Sequence, residues 1–147
     1  MRIGDLARAT GTAVETIRFY EREGLLPAAG RGDNNYRQYE RAHVERLTLI
    51  RTCRGLDMTL EEIGRLLRLR DHPAGTCADV NALLDEHLRH VSQRIRDLRA
   101  LEESLEALRA SCREPGAMAE CGILGRLEQQ ASVVPLAPGK GHVRGAR

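Results

Sequence analysis

Apolar residues recur at helical spacing along most of the chain. Near its start the pattern predicts two short helices, over residues 3–9 and 13–22, separated by Gly11. The capping box Thr12-Ala-Val-Glu15 is expected to start the second helix. The positions expected to face inward are Ile3, Leu6 and Ala7 in the first helix and Val14, Ile17 and Tyr20 in the second. Two helices of this size and spacing are typical of a helix-turn-helix.

A turn-rich segment follows, from Pro27 to Tyr39, and its residues Tyr36-Arg-Gln-Tyr39 alternate as a strand does. This pattern predicts a small two-stranded wing. Beyond it, one helix is predicted from Glu40 to about Gly55, and the capping box Thr59-Leu-Glu-Glu62 starts another. The apolar faces of these helices consist of Val44, Leu47, Ile50 and Cys53, then Ile63, Leu66 and Leu67.

One very long helix is predicted after Thr76, because no glycine or proline follows until Pro115. Its apolar stripe steps by three and four residues, as in a coiled coil. The stripe consists of Leu84, His87, Val91, Ile95, Leu98, Leu101, Leu105 and Leu108. A domain of about 70 residues cannot cover so long a seam, so two chains are expected to pair through it.

The predicted fold class is therefore mainly α. It comprises a winged helix-turn-helix domain over residues 1–70 and a dimerisation helix over residues 76–112 that forms an antiparallel coiled coil. A loop with a short C-terminal helix is expected over residues 112–131. Residues 132–147 are rich in glycine, proline and basic residues without periodicity, and a disordered tail is expected there.

Composition narrows the class of protein. The chain has 147 residues, of which 30% are charged, and no apolar run approaches the roughly 20 residues of a membrane span. Its first residues lack the apolar region of a secretory signal, so we expect a cytoplasmic protein without a membrane partner. The sequence shows no pairing of a nucleophile with a base, no phosphate-binding loop and no paired carboxylates, so we do not expect an enzyme. Residues 1–70 carry 13 arginines against 10 acidic residues, so the basic excess lies at the front.

Four motifs occur in order near the start: Ile3-Gly-Asp-Leu-Ala7, Glu15-Thr-Ile-Arg-Phe-Tyr-Glu21, Gly24-Leu-Leu-Pro27 and Asn35-Tyr-Arg-Gln-Tyr39. Together they resemble the winged helix-turn-helix domain of the MerR family of transcriptional regulators. The resemblance implies a homodimer that binds promoter DNA with and without metal. It also implies that the metal-bound form untwists the DNA so that RNA polymerase can engage.

Residues of the second helix and of the wing are candidate DNA contacts. At the start of the helix, Val14, Thr16 and Arg18 are expected to enter the major groove. The expected phosphate contacts are the Tyr20 hydroxyl and the wing residues Arg31, Tyr36 and Arg37. Phe19 and Tyr39 are interpreted as core aromatics.

Three of the four cysteines form a candidate metal site. Nothing signals export, so metal binding or redox sensing is favoured over structural disulfides. Cys77 and Cys112 lie at opposite ends of the long helix, roughly 50 Å apart, and cannot share an ion within one chain. Antiparallel pairing sets Cys77 beside the partner's Cys112, and the turn Pro115-Gly116 lets the loop fold Cys121 back.

Three thiolates suit Pb(II) or Hg(II), or Cd(II) with an added ligand, whereas Zn(II) prefers four ligands. The arrangement is similar to the divalent-metal branch of the MerR family, and most to its cadmium and lead regulators, in which matching cysteines bind the ion. Zinc sensors of the family carry a pair of adjacent cysteines at the start of this loop, whereas here the first of the two positions is Ser111 and the second is Cys112. The expected effector is Cd(II) or Pb(II) at a heavy-metal resistance promoter, with Hg(II) or Zn(II) as alternatives.

Other sites and functions stay open at this point. His87 and His90, three positions apart on the long helix, are a possible second metal site. Cys53 is expected to be a buried small hydrophobe, and His43 and His72 to be structural. A thiol redox sensor with a disulfide between Cys112 and Cys121 is an alternative function, and so is a metal buffer or trafficking protein.

Overall fold

The computed structural model describes residues 1–33 and 36–129, which are mainly helical, as predicted. Within them the elements are α1 (Ile3–Thr10), α2 (Val14–Arg22), β1 (Gly30–Arg31), β2 (Arg37–Gln38), α3 (Arg41–Gly55), α4 (Leu60–Asp71), α5 (Ala78–Ala110), a 3-10 turn (Met118–Glu120) and α6 (Gly122–Gln129). The chain divides into two compact units between His87 and Leu88 of α5. No helix of the described residues is long and apolar enough to cross a membrane. The tail expected over residues 132–147 lies outside the described residues.

The turn between α1 and α2 differs in one respect from its prediction. Gly11 ends α1 in the left-handed region, with φ 63°, as expected of a glycine at this position. The predicted capping box at Thr12 is wrong. Ala13 is the N-terminal cap of α2, because Thr12 still belongs to the turn: its backbone N–H donates to Ala7 and its hydroxyl donates to Thr10.

The core of the first unit joins α1, α2, α3 and α4 with the first turns of α5. Its largest fully buried side chains are Leu6, Ile17, Leu26, Tyr39, Leu47, Ile50, Met58, Ile63, Leu67 and Leu83. These positions follow the helical period of each element, which confirms the predicted apolar faces of α1 to α4. Each buried aliphatic side chain contributes about 1.5–3 kcal/mol relative to leaving it in water.

The predicted wing and the second capping box are both present. β1 and β2 pair antiparallel, with Arg31 opposite Arg37. At the start of α4, Glu62 N–H donates to Thr59 Oγ1 at 3.1 Å and Thr59 N–H donates to Glu62 Oε1 at 2.9 Å. Two of the helix's otherwise unpaired backbone donors are satisfied in this way.

Arg46 of α3 ties the turn after α2 to the end of α4. Its Nε donates to the Leu25 carbonyl at 2.6 Å, and its guanidinium contacts Asp71 with two bonds of 2.7 and 3.1 Å. Hydrogen bonding from Arg46 lowers the pKa of the Asp71 carboxyl. The helix-turn-helix is thereby joined to α4 by a bidentate ion pair.

Candidate nucleic-acid interface and metal centre

Helix α2 and the wing border an open cleft of about 680 Å³. It is lined by Arg2, Ile3, Arg18, Glu21, Arg22, Ala28, Tyr36 and Arg37. Arginines make up half of this lining, and Glu21 supplies the carboxylate. A concave surface with this charge favours phosphate groups.

The residues predicted to contact DNA differ in how exposed they are. Arg18, Arg31, Tyr36 and Arg37 are exposed, and Val14 and Thr16 are half-buried in the first turn of α2. Tyr20 belongs to the core, as its place on the inward face of α2 predicted, and its burial raises the pKa of its hydroxyl. With 8% of its surface exposed, Tyr20 offers little to a phosphate, which argues against its predicted contact.

Two residues of the cleft, Arg2 and Arg22, were not among the sequence-based candidates. The Arg2 guanidinium lies over the Tyr36 ring, 4.5 Å from its centroid. Arg22 lies 6.0 Å from the centroid of Phe19. In the sequence both look like ordinary solvent-exposed arginines. Only the fold shows that they line the cleft.

Glu21 and Tyr39 join α2 to the wing. The Tyr39 hydroxyl donates to Glu21 Oε1 at 2.8 Å, and Arg37 of β2 lies 3.8 Å from the same oxygen. Tyr39 is 2% exposed, in agreement with its interpretation as a core aromatic. Burial, together with the hydrogen bond to Glu21, raises the pKa of Tyr39.

The start of α5 is held to the helices before it through His87. Its Nδ1 lies 2.9 Å from Glu62 Oε2, and its Nε2 lies 2.8 Å from the Leu56 carbonyl. His87 therefore turns toward the first unit, and its predicted place in the apolar stripe is wrong. One i+4 step before it, Leu83 is fully buried on the same face of α5.

The apolar stripe itself is exposed in the single chain. Leu84, Leu88, Val91, Ile95, Leu98 and Leu105 are each 38 to 61% exposed. Leu88 takes the position in this row that was expected for His87. Leu108, predicted to belong to the stripe, is 8% exposed and is covered within its own chain.

Cys77 lies at the start of α5, directly before its first residue. Its carbonyl accepts the N–H of Asn81 at 3.0 Å, which is the first bond of the helix, and its side chain is exposed. The positive end of the helix dipole favours an anion at this position. Cys77 is thus an exposed thiol at the start of a helix.

Cys112 and Cys121 adjoin a close packing contact between residues 111 and 122. Cys112 follows α5, and its Sγ lies 3.7 Å from the Glu114 carbonyl. Cys121 precedes α6 and accepts the N–H of Gly125 at 3.0 Å. Both thiols are half-buried.

Gly122 makes this packing possible. A Cβ at Gly122 would lie 2.7 Å from the Ser111 carbonyl oxygen, which is too close for any other residue without a shift. Because Gly122 and Ser111 each adjoin a cysteine, their contact brings the segments of Cys121 and Cys112 side by side. The sequence reasoning did not find Gly122, since a glycine after a cysteine is read as an ordinary turn residue.

Cys53 differs from the other three cysteines. It is 6% exposed on the apolar face of α3, and burial raises the pKa of its thiol. A thiol in such an environment is inert toward metals and oxidants. Its interpretation as a small core hydrophobe agrees with this position.

Two family descriptions match the chain. Residues 1–69 match "MerR HTH family regulatory protein" and residues 44–108 match "MerR, DNA binding". A Haemophilus influenzae protein named HTH-type transcriptional regulator ZntR homolog is 44% identical over 109 residues, which are 74% of this chain and 81% of that protein. The chain belongs to the MerR family. This MerR-family protein is therefore a DNA-binding transcriptional regulator and not an enzyme.

Two solved structures similar to this MerR-family regulator contain a bound metal ion, and a third relative is a named transcriptional regulator. The transcription regulator PbrR691 from Ralstonia metallidurans CH34, solved in complex with lead(II), is 50% identical with a TM-score of 0.79, covering 86% of this chain and 98% of that one. Bacillus megaterium MerR, solved with mercury(II), is 31% identical with a TM-score of 0.73, covering 88% of this chain and all of that one. The Salmonella typhimurium regulator CueR is 38% identical over 128 residues, 86% of this chain and 91% of that protein.

Proposed function

We propose that this MerR-family regulator is a homodimer that senses Cd(II) or Pb(II) and switches a heavy-metal resistance promoter. Each metal site would consist of Cys112 and Cys121 of one protomer and the partner's Cys77. The likeness to the lead complex of PbrR691, at 50% identity, supports a soft-metal effector. Hg(II) and Zn(II) are the alternatives, since a similar protein was solved with mercury(II) and thiolates also bind zinc.

The observation that carries the proposal is a symmetry in the sequence of α5. Six of its apolar positions, five exposed and one half-buried, lie in pairs at equal sequence distance on either side of the midpoint between Arg94 and Ile95. The pairs are Leu84 with Leu105, Leu88 with Leu101, and Val91 with Leu98. Two antiparallel copies of α5, with a twofold axis at this midpoint, would therefore bury these three pairs against each other and place Ile95 of both copies beside the axis.

The same midpoint relates two of the cysteines. Cys77 and Cys112 lie at equal sequence distance from it on opposite sides. The register that buries the apolar row is thus also the register that brings Cys77 of one chain level with the partner's Cys112. Two independent patterns, one apolar and one of metal ligands, support a single antiparallel dimer.

The donor set fits a soft ion. Three thiolates bind Pb(II), Cd(II) and Hg(II) in preference to hard cations, and metal binding would release the Cys112 thiol from its contact with Glu114. The bound ion would supply positive charge that holds three anionic sulfurs together. This chain's own contribution is the exposure of Cys77 at a helix start and the close packing at Gly122.

For DNA binding we propose that α2 contacts base edges in the groove and that the wing contacts the DNA backbone. Val14, Thr16 and Arg18 would contact base edges, and Arg31, Tyr36 and Arg37 would contact phosphates. Ordering of the loop over residues 112–121 by metal would change the angle between the two DNA-binding domains. The promoter would then be untwisted for RNA polymerase, a readout through DNA deformation.

A subunit-mixing experiment tests the shared metal site. Cys77→Ser and Cys112→Ser proteins are each titrated with Pb(II) and Cd(II), following the thiolate-to-metal charge-transfer absorbance, and neither should show the band of the unaltered protein. After the two are unfolded together and refolded, half of the dimers would carry one intact site. About a quarter of the original signal should therefore return.

Cys53→Ser is the matched control and should bind metal as the unaltered protein does, since Cys53 is buried in α3. A mixture that regains no signal would contradict a site shared between subunits. If each single variant bound metal fully, the three-cysteine site itself would be wrong. Titrations with Hg(II) and Zn(II) rank the alternative effectors.

A redox sensor is the second candidate, because the contact between Gly122 and Ser111 also suits a disulfide between Cys112 and Cys121. Thiol counting after mild oxidation distinguishes the two functions. A redox sensor loses two thiols per chain and changes transcription without metal. A metal sensor keeps its response to metal in reductant.

His87 and His90 remain a second candidate metal site. Both ring nitrogens of His87 lie within hydrogen-bond distance of an acceptor, Glu62 or the Leu56 carbonyl. A metal bound to His87 would therefore replace one of these contacts. Metal stoichiometry in the His90→Gln variant tests this site, since only a second ion would be lost.

A further inference from the structure

The basic cleft contains a carboxylate, that of Glu21, and the proposed DNA contacts do not explain its presence there. Glu21 lies on α2 among Arg2, Arg18, Arg22 and Arg37, and its side chain is 11% exposed. A carboxylate at a phosphate-binding surface repels DNA. Its effect on binding is therefore adverse unless it serves the arrangement of its neighbours.

Glu21 connects the two parts of the interface. Its Oε1 accepts the Tyr39 hydroxyl at 2.8 Å, and the same oxygen lies 3.8 Å from Arg37 of β2. Tyr39 is anchored in turn, because its backbone N–H donates to the Met1 carbonyl and its ring packs edge-on against His43 at 5.2 Å. Glu21 is thus held by the anchored Tyr39 and presents its charge to the largely exposed Arg37.

We propose that Glu21 is a specificity-determining positioning residue of the DNA interface. It holds Arg37 of the wing in register with α2 and neutralises part of the positive charge of the cleft. DNA that does not match α2 gains little from this cleft, whereas a matching site still engages it through the base contacts. The inference rests on the proposed DNA contacts and concerns the ratio between operator binding and non-specific binding.

The test compares Glu21→Gln with the unaltered protein on two duplexes of equal length and composition. One duplex is selected by the unaltered protein from a random-sequence pool, and the other is taken from the same pool before selection. The amide oxygen of glutamine still accepts the Tyr39 hydroxyl, so the fold is kept and only the charge is removed. Urea unfolding of both proteins verifies this.

Glu21→Gln should bind the unselected duplex more tightly, by about 5-fold for each additional phosphate contact at physiological salt. The slope of log affinity against log salt should steepen by about 0.9 for each such contact. Affinity for the selected duplex should rise less, so the ratio of the two affinities falls. Glu21→Asp, which keeps the charge, should restore the ratio.

Glu23→Gln is the matched control, because Glu23 caps the same helix and is exposed but does not line the cleft. Equal effects of Glu21→Gln and Glu23→Gln would overturn the inference, since net charge alone would explain both. An unchanged ratio and salt slope in Glu21→Gln would overturn it as well.

Arg18→Ala and Arg37→Ala separate this inference from the proposed function. If neither variant weakens binding to the selected duplex, the proposed DNA contacts are wrong. If both weaken it while Glu21→Gln leaves the ratio unchanged, only the role of Glu21 is wrong.

Discussion

Gly122 packs against the Ser111 carbonyl so closely that a Cβ would lie 2.7 Å from its oxygen. Because these residues adjoin Cys121 and Cys112, the distance between α6 and the end of α5 controls the approach of two proposed metal ligands. Gly122→Ala should therefore weaken Pb(II) binding by about tenfold or more while leaving all three cysteines in place. Competition with a chelator of known affinity measures the change.

Gly125→Ala is the control for that variant. Gly125 lies on the same helix, and nothing lies within 4 Å of a Cβ built there. Alanine at this position should stabilise α6 by about 1 kcal/mol or less and leave metal affinity unchanged. Equal metal affinity in both variants would contradict the role given to the contact with Ser111.

Glu62 connects the start of α4 to His87 of α5 and is 5% exposed. Glu62→Gln keeps an acceptor for the Thr59 N–H but removes the charge that faces His87. Hydrogen bonds to charged groups contribute about 1.5–3 kcal/mol, so the free energy of unfolding should fall by about 1–2 kcal/mol. Urea denaturation measures this, with Glu61→Gln, an exposed neighbour in the same helical turn, as a control expected to lose about 0.5 kcal/mol or less.

The same carboxyl predicts a dependence of stability on pH. Burial raises the pKa of Glu62, but the hydrogen bonds with Thr59 and the charge of His87 outweigh it and hold the pKa below its ordinary value. A lowered folded-state pKa stabilises the fold above the ordinary carboxyl range, and this contribution is lost as the pH falls through the folded-state pKa. Unfolding free energies measured from neutral to acid pH should therefore decline less steeply in Glu62→Gln. A parallel decline in both proteins would show that Glu62 does not contribute.

The proposed register of the dimer predicts which charged variants rescue each other. Val91→Lys and Leu98→Glu each bury unpaired charges in the homodimer, at about 3–5 kcal/mol for each charge, and should dissociate. Mixed together, they form a heterodimer in which the new lysine faces the new glutamate. Sedimentation equilibrium should show dimers in the mixture and monomers in each component.

A mixture of Leu88→Lys with Leu98→Glu is the matched control, because these positions are not symmetric about the midpoint between Arg94 and Ile95. It should not regain the dimer. Rescue in this mixture but not in the first one would assign a different register. That register would also separate Cys77 from the partner's Cys112.

Features that depend on neighbours in the sequence were predicted well. The Thr59 capping box, the Gly11 helix end and the wing follow from residues a few positions apart, and the structure confirms them. Thr12 carries the same capping pattern as Thr59 but does not cap α2. Its backbone N–H is already used by the turn that Gly11 starts, so the competing contact decided the outcome.

The candidate site was predicted only in its residue types. Cys77 is exposed and Cys112 and Cys121 are half-buried, so none of the three lies in the core as Cys53 does, but the contact of Gly122 with Ser111 was not foreseen. Likewise, Glu21 was not singled out as the carboxylate of the basic cleft. Such contacts join residues that are 11 or more positions apart, and a local pattern carries no signal for them.

Helix period, turn residues and an apolar stripe along α5 were predicted from the sequence, because each is a regular spacing along one element. The tertiary structure decided that His87 turns toward Glu62 and leaves the apolar row to Leu88. It likewise decided that Tyr20, expected to face inward but also to offer its hydroxyl to a phosphate, is almost completely buried. On a helix, neighbouring positions differ by about 100° in direction, and only the packing of the other elements determines which of them is covered.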